Sequence, residues 1–352
     1  MARNISLVLI TGAGASTEFG SDRKPLPLMP QWSETLVNKM FDSGADQYGL
    51  SGLRTGMTGP QFEAALGDFL RRAEAFAQIR PVAALTASAP GLGGPQIQTW
   101  YDQVANAFDR INEVIVSSLM QEFHHNRLAV SFATEAYRQL LDLARLPNTT
   151  GLVYVTTNYD ALGELALEDL GAHPDAGEPA RQYGGHATGL DVVGLLDDMS
   201  RHTPVLHLHG KVGWYRDDRG RVQVLDVQQH HASHGVPVVM LPDPNKSFAG
   251  DDVLALLWAQ FQEAVTDARR ILVLGHSLAD RQLVNILRGV SGKLGVTYLG
   301  TSADRDTAQL ERLRNELGRD PAYFPVKFGP KLEGSWDQVG RWLTAGERPP
   351  EG

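Results

Sequence analysis

Ile5-Ser6-Leu7-Val8-Leu9-Ile10-Thr11-Gly12-Ala13-Gly14-Ala15-Ser16 is the stretch on which the fold turns. A short apolar run that stops at Thr-Gly reads as a strand buried on both faces, as in a parallel sheet. The small residues after it read as a tight turn into a helix. Working outward, the strand-then-helix signature recurs. Residues 152–155 read as a strand and 159–170 as a helix, and 205–208 form a strand ending at His209-Gly210. Residues 212–215 and 222–225 read as a hairpin around Asp217-Asp218-Arg219-Gly220, and 236–241 as a further strand before a helix over 251–266. Strands at 271–274, 296–299 and 326–328 then alternate with helices at 281–290, 307–317 and 336–343. Strands separated by helices predict an α/β, Rossmann-like fold with a doubly wound, mostly parallel sheet.

Between the first and second strands the pattern changes. Helical spacing runs through 32–41, 62–70, 97–123 and 132–144, broken by an Ala/Pro/Gly stretch at 81–95 that reads as an exposed loop. Residues 25–150 are therefore expected to form a large helical insertion within one domain spanning residues 1–352. The segment 175–188, rich in Gly, Pro and charge, reads as a loop.

Composition narrows the classes. With 42 % hydrophobic and 21 % charged residues the chain has the balance of a soluble globular protein, and 352 residues can bury a large core. A net charge of -9 disfavours direct binding of nucleic-acid phosphate, which needs clustered Lys and Arg. The absence of cysteine excludes disulfides, thiolate metal sites and a Cys nucleophile. The apolar run at 5–10 is too short for a signal-peptide core, and no run reaches membrane-spanning length. A cytoplasmic protein without membrane contact is the expectation.

Four short motifs carry chemistry, each at the end of a strand. Gly12-Ala13-Gly14 can bring backbone amides to a pyrophosphate, but Thr17 stands where the dehydrogenase fingerprint has a third glycine. Hydride transfer is thereby disfavoured. In Thr156-Thr157-Asn158-Tyr159-Asp160, Asn158 offers a donor and an acceptor to ribose hydroxyls or water, and Asp160 can accept from a carboxamide or cap the next helix. In Val205-Leu206-His207-Leu208-His209-Gly210 the two histidines share a strand face. His207 reads as a core histidine with both ring nitrogens satisfied, and His209, at the strand mouth before a glycine, as a general base. In Leu274-Gly275-His276-Ser277-Leu278, with Asp280 opening the next helix, a small residue lets adenosine or phosphate lie against the backbone. Gly300-Thr301-Ser302 can do the same for the adenosine ribose.

The order of these motifs resembles that of sirtuins, and more closely the sirtuin-like domains of bacterial anti-phage defence proteins. Gly-Ala-Gly-Ala-Ser at 12–16, Thr-Asn-Tyr-Asp at 157–160, Leu-His-Gly at 208–210 and Gly-His-Ser-Leu at 275–278 carry the resemblance. The segment from Met240 to Lys246 is similar to the Pro-rich segment of those domains. The resemblance implies an NAD site. In it Gly12, Ala13, Gly14 and Ser16 hold phosphates, Thr157 belongs to the cofactor-binding set, and Asn158 and Asp160 face the nicotinamide ribose and carboxamide. His209 acts as base, and Gly275, Ser277 and Thr301 line the adenosine side. Protein-deacylating sirtuins carry a four-cysteine zinc module and a Pro-Asp-Phe-Arg loop. This chain has no cysteine and reads Gly20-Ser21-Asp22-Arg23-Lys24-Pro25 where that loop belongs. Zinc is not expected, and water is the expected acceptor.

The function implied is hydrolysis of NAD to nicotinamide and ADP-ribose. Loss of nicotinamide leaves an oxocarbenium-like centre, so the site must orient the leaving group and bring water to one face. By the same resemblance the chain is the effector subunit of a defence system. Expected companions are further copies of itself and an activating partner such as a HerA-type ATPase or a short Argonaute. The loop at 81–95 and the insertion are candidates for gating. The alternatives are a non-catalytic subunit that senses NAD or ADP-ribose, an NAD-dependent deacylase, and a nuclease subunit. His230, His231 and His234 read as a solvated loop rather than a metal site, and His124-His125 as a helix end. Arg71-Arg72 and Arg269-Arg270 read as solvated faces.

Overall fold

The computed structural model describes residues 3–17, 19, 127–146, 149–178, 187–216, 219–224, 236–240, 251–297 and 303–347, with isolated positions between 35 and 118. The expectations for most of the 25–150 insertion, 81–95, Arg71-Arg72 and His124-His125 included, lie outside the described residues. So do those for the histidines at 230–234, for the Met240–Lys246 segment beyond Met240, and for Thr301. The chain clusters into two compact units. One comprises Met1–Leu26, Phe123–Val239 and Phe248–Gly352, and the other Pro27–Glu122 with Met240–Ser247. Everything described below belongs to the first.

The opening stretch forms β1 (Leu7–Thr11), followed at once by the short α1 (Ala13–Thr17). Val8, Leu9 and Ile10 have no exposed surface, as a strand covered on both faces requires. Burying each such side chain contributes roughly 1.5–3 kcal/mol. Then come α2 (Arg127–Leu143), β2 (Leu152–Thr156) and α3 (Leu162–Asp169). In α2, Ala129, Ala133, Ala136, Tyr137, Leu140 and Leu141 recur at helical spacing and are buried. The short β3 (Pro174–Asp175) and β4 (Ala187–Thr188) lead to β5 (Thr203–His207) and β6 (Gly210–Arg216). After these come β7 (Val222–Val224), β8 (Val236–Val239), α4 (Asp252–Asp267) and β9 (Arg270–Leu274). The chain continues through α5 (Arg281–Arg288), β10 (Leu294–Val296), α6 (Ala303–Leu317), β11 (Ala322–Tyr323) and α7 (Trp336–Ala345).

Among the described residues seven strands form one sheet in the order β11-β10-β9-β1-β2-β5-β3, and every pairing in it is parallel. The chain winds outward from β1 in both directions, to β2 and β5 on one side and to β9 and β10 on the other. This is the expected α/β, Rossmann-like arrangement. It places a topological switch point at β1, and the C-terminal ends beside it are where such sheets bind ligands.

Three local expectations are corrected. The region read as a simple hairpin belongs to a separate four-stranded antiparallel sheet, β4-β7-β6-β8, which includes the strand expected near 236–241. The last strand lies at Ala322–Tyr323 rather than 326–328; Val326 and Phe328 fill core from a loop instead. Arg270 is half-buried rather than fully solvated. Its Nε donates to Trp342 O (3.1 Å) at the end of α7, and its guanidinium lies 5.5 Å from the Trp342 ring centre. Burial, and then the neighbouring Arg269, push its pKa down. Among the described residues no helix is long and apolar enough to cross a membrane.

Candidate active site

The four motifs end on four adjacent strands, β9, β1, β2 and β5. Register brings them level. Thr11 pairs with Leu274 on one side and Thr156 on the other, and Thr156 pairs with His207. Asn158 and His209 therefore each stand two residues past the same rung, and Gly12 and Gly275 each one residue past theirs.

The turn after β1 packs directly on the turn after β9. Gly12 N donates to Leu274 O (3.0 Å), Gly14 N to Gly275 O (2.9 Å) and Ala15 N to Gly12 O (2.9 Å). A Cβ on Gly12 or Gly14 would come within 2.8 Å of Gly275 O, and one on Gly275 would collide with Ala15 N. Gly275 also has φ +56°, in the left-handed region. The glycines thus let two turns touch through their backbones, and the amides of Gly12 and Gly14, expected to face phosphates, are committed inside the protein. Ala13 is exposed, as is Ser277 in the second turn.

Asn158 is the hub on the next strand. Its Nδ2 donates to Gly12 O (3.1 Å) and to Ser16 Oγ (2.8 Å), and its own amide donates to Thr156 Oγ1 (3.0 Å). Ser16 Oγ in turn donates to Asp160 Oδ1 (3.3 Å), which also accepts from Leu162 N (3.0 Å) at the start of α3. Asp160 therefore supports the first turn of the helix, and Ser16 braces Asn158 against Asp160 instead of reaching out as a phosphate ligand. All three residues are buried to within 6 % exposure. No described protein group bonds Asn158 Oδ1, which leaves an acceptor at the strand ends. Thr157 is half-buried and ties its amide to Thr11 O (3.2 Å).

His209 stands two residues past the end of β5. The next residue, Gly210, has φ +77°, and a Cβ there would collide with Val238 O. The chain can thus leave the parallel sheet and enter β6 within two residues, with His209 held at the corner. Its ring lies 6.4 Å from that of Trp258 on α4, whose Nε1 donates to Leu208 O (3.0 Å). Its Nε2 is 3.1 Å from Asp280 Oδ2. Asp280 caps α5 with its other oxygen, which accepts from Gln282 N and Leu283 N. From sequence Asp280 reads only as a helix opener. Its signal is a carboxylate five residues past a strand-end glycine, but nothing local links positions 71 residues apart.

The turn that carries Asp280 is held at several points. His276 Nδ1 accepts from Leu278 N (2.8 Å), Leu278 is a buried non-glycine residue at φ +51°, and Arg312 donates to the carbonyls of Ser277 and Leu278. A left-handed leucine costs about 1 kcal/mol or more, so these bonds over-determine the shape of the turn.

His207 differs from its expected state. It is fully buried, its Nε2 contacts Glu164 Oε2 (3.0 Å), and its Nδ1 has no hydrogen-bond partner. It belongs to an ion cluster the sequence did not reveal. Lys211 Nζ donates to both Glu164 oxygens (3.0 and 2.8 Å) and to Glu178 Oε1 (2.6 Å), which also accepts from Trp214 Nε1 (2.7 Å). Burial pushes the Glu164 carboxyl up, but Lys211 and His207 outweigh it and hold its pKa down at about 2. Burial likewise opposes the charge on Lys211, and the two glutamates overcome it and raise its pKa. This cluster cross-links α3, β5 and β6 behind the His209 corner.

A set of buried polar groups on adjacent strand ends, with one histidine oriented by a carboxylate, suits proton transfer beside a bound polar ligand. Among the described residues no group of three or more His, Asp or Glu side chains is placed to hold a metal ion. No curated protein matches the chain. Residues 152–321 match the family model for the SIR2-like domain, and this match, which spans Asn158, Asp160, His209 and Asp280, supports a sirtuin-like domain in that part of the chain.

Proposed function

We propose that the chain is an NAD glycohydrolase that cleaves the nicotinamide–ribose bond to give nicotinamide and ADP-ribose. The observation that carries this reading is the convergence of Asn158, Asp160 and His209 at level strand ends, inside the segment similar to the SIR2-like domain. A SIR2-like domain supports an NAD-related activity for the family. Hydrolysis is the finer reading for this chain, since it has no cysteine for a zinc module.

In this reading NAD lies across the ends of β1, β2, β5 and β9, with its adenosine side toward Gly275 and Ser277. Asn158 Oδ1 accepts from the 2′-hydroxyl or from the attacking water, while its Nδ2 stays fixed by Gly12 and Ser16. The site can therefore meet the reacting atoms with an amide whose orientation is already set. Asp160 stands beside it for the carboxamide. His209 takes the proton from water as the C1′–N bond breaks and the nicotinamide departs. Asn158, Asp160 and His209 are each buried, so bulk water competes poorly for these groups and each contact is strengthened.

Motif order alone carries the biological side of the proposal. The chain is the effector subunit of an anti-phage defence system, assembles with copies of itself, and is switched on by a partner such as a HerA-type ATPase or a short Argonaute. Unchecked loss of NAD would harm the host, so such an enzyme needs a trigger. The chemical proposal is tested by chromatography of NAD incubated with the purified protein, beside His209→Ala. Nicotinamide and ADP-ribose in equal amounts, absent with the variant, is the expected result. Equal release by both proteins would remove His209 from the mechanism.

A further inference from the structure

We infer that Asp280 is the positioning residue for His209, holding Nε2–H so that Nδ1 is the atom that accepts the proton. The use to which that proton is put rests on the NAD-hydrolysis reading, while the orientation of the ring stands on three observations.

The first is the contact itself. His209 Nε2 and Asp280 Oδ2 are 3.1 Å apart, and the two side chains are 8 % and 6 % exposed, so water does not compete well for either. The second is that the carboxylate is fixed before it meets the ring. Oδ1 accepts from Gln282 N (2.9 Å) and Leu283 N (3.3 Å) at the N-terminus of α5. Two backbone amides at a helix start favour the ionised carboxylate, which can only accept. A neutral His209 must then carry its hydrogen on Nε2, and the lone pair falls on Nδ1. The third is that the turn bearing Asp280 is clamped by Arg312, by His276 and by the Gly275 contact with Gly14 and Ala15. The position of the carboxylate is thus inherited from the same backbone packing that shapes the turn after β1. The ring is further confined by Trp258.

The charge change of the reaction gives this contact its value. When His209 takes a proton it becomes an imidazolium, and Asp280 lies against the nitrogen that is already protonated. The carboxylate stabilises the cation without receiving the proton itself, which stays on Nδ1 until it is released to solvent or to the product.

The test uses Asp280→Asn in the full chain. An asparagine keeps an oxygen for the α5 cap, so the melting temperature is expected to stay within a few degrees of wild type. Its Nδ2 now faces the ring and donates, which favours hydrogen on Nδ1 and inverts the tautomer. Nitrogen-15 NMR of histidine-labelled protein reads this without substrate. The wild type is expected to show His209 protonated on Nε2, assigned by comparison with His209→Gln, and Asp280→Asn is expected to show it on Nδ1. Nicotinamide release should then fall by on the order of 10⁴-fold, the loss expected when a catalytic histidine is held in the wrong tautomer. A wild-type His209 with hydrogen on Nδ1, or an Asp280→Asn protein that releases nicotinamide at the wild-type rate, would overturn the assignment. Should the wild type neither release nicotinamide nor gain melting temperature on addition of NAD, the hydrolase reading fails, and the tautomer comparison still decides whether Asp280 sets the ring.

Discussion

The Asn158 side chain divides its two ends between architecture and chemistry. Nδ2 is bound to Gly12 O and Ser16 Oγ, and Oδ1 is left to a ligand. Asn158→Ala removes both functions at once. It should lower stability by about 1–3 kcal/mol, because Gly12 O and Ser16 Oγ lose a buried donor, and nicotinamide release by roughly 10²–10³-fold. Asn158→Asp separates the two, since it keeps the size and the outward oxygen but turns the inner donor into an acceptor facing Gly12 O. If Asn158→Asp matched wild type in both urea unfolding and turnover, the hub assignment would be wrong. At the level of single residues the sequence shows which types gather at the strand ends, because motif spacing fixes them relative to each strand. It does not show their partners. Ser16, expected at a phosphate, instead bonds Asp160, and neither Asp280 nor Glu164 is visible as a partner of the histidines, since those pairings cross between segments far apart in sequence.

Among turns and strands, the apolar runs of β1, β2 and β9 are legible because each is buried on both faces and needs no alternation to be noticed. The β11 strand is not, since two residues at a sheet edge have no period, and after a last bond from Phe324 N to Val296 O the apolar Val326 and Phe328 fill core from a loop. The contact between the turns after β1 and β9 explains why glycines are needed there, a role distinct from phosphate binding. Gly275→Ala is predicted to destabilise the protein by roughly 1–3 kcal/mol from its backbone conformation alone, with the clash against Ala15 N adding to this. It should also displace Asp280 and so reduce turnover. Urea unfolding reads the first effect, and a midpoint equal to wild type would show that the two turns do not pack as described.

For the molecule as a whole, the buried cluster of Glu164, Glu178, Lys211, Trp214 and His207 ties the parallel sheet and α3 to β6 of the smaller sheet. Glu164 has a pKa of about 2, below its ordinary 4.5. A depressed carboxyl stabilises the fold above its unfolded pKa and loses that contribution as pH falls through the folded value. Stability should therefore drop between pH 4.5 and about pH 2, and Lys211→Met should flatten this segment of the profile. The same substitution leaves two buried carboxylates without their cation and is expected to cost about 3–5 kcal/mol near neutral pH. A loss under about 1 kcal/mol, measured by denaturant unfolding, would mean that water reaches the cluster and screens it as it screens an exposed pair.

On the proposed function, the ends of β9, β1, β2 and β5 bind NAD and break its nicotinamide–ribose bond. Chromatography of NAD held with the purified chain, run beside a melting curve in the presence of NAD, tests this most directly. Equal amounts of nicotinamide and ADP-ribose are predicted with the wild type, and roughly 10²–10³-fold less of each with Asn158→Ala. NAD recovered intact, with no rise in melting temperature on its addition, would contradict it.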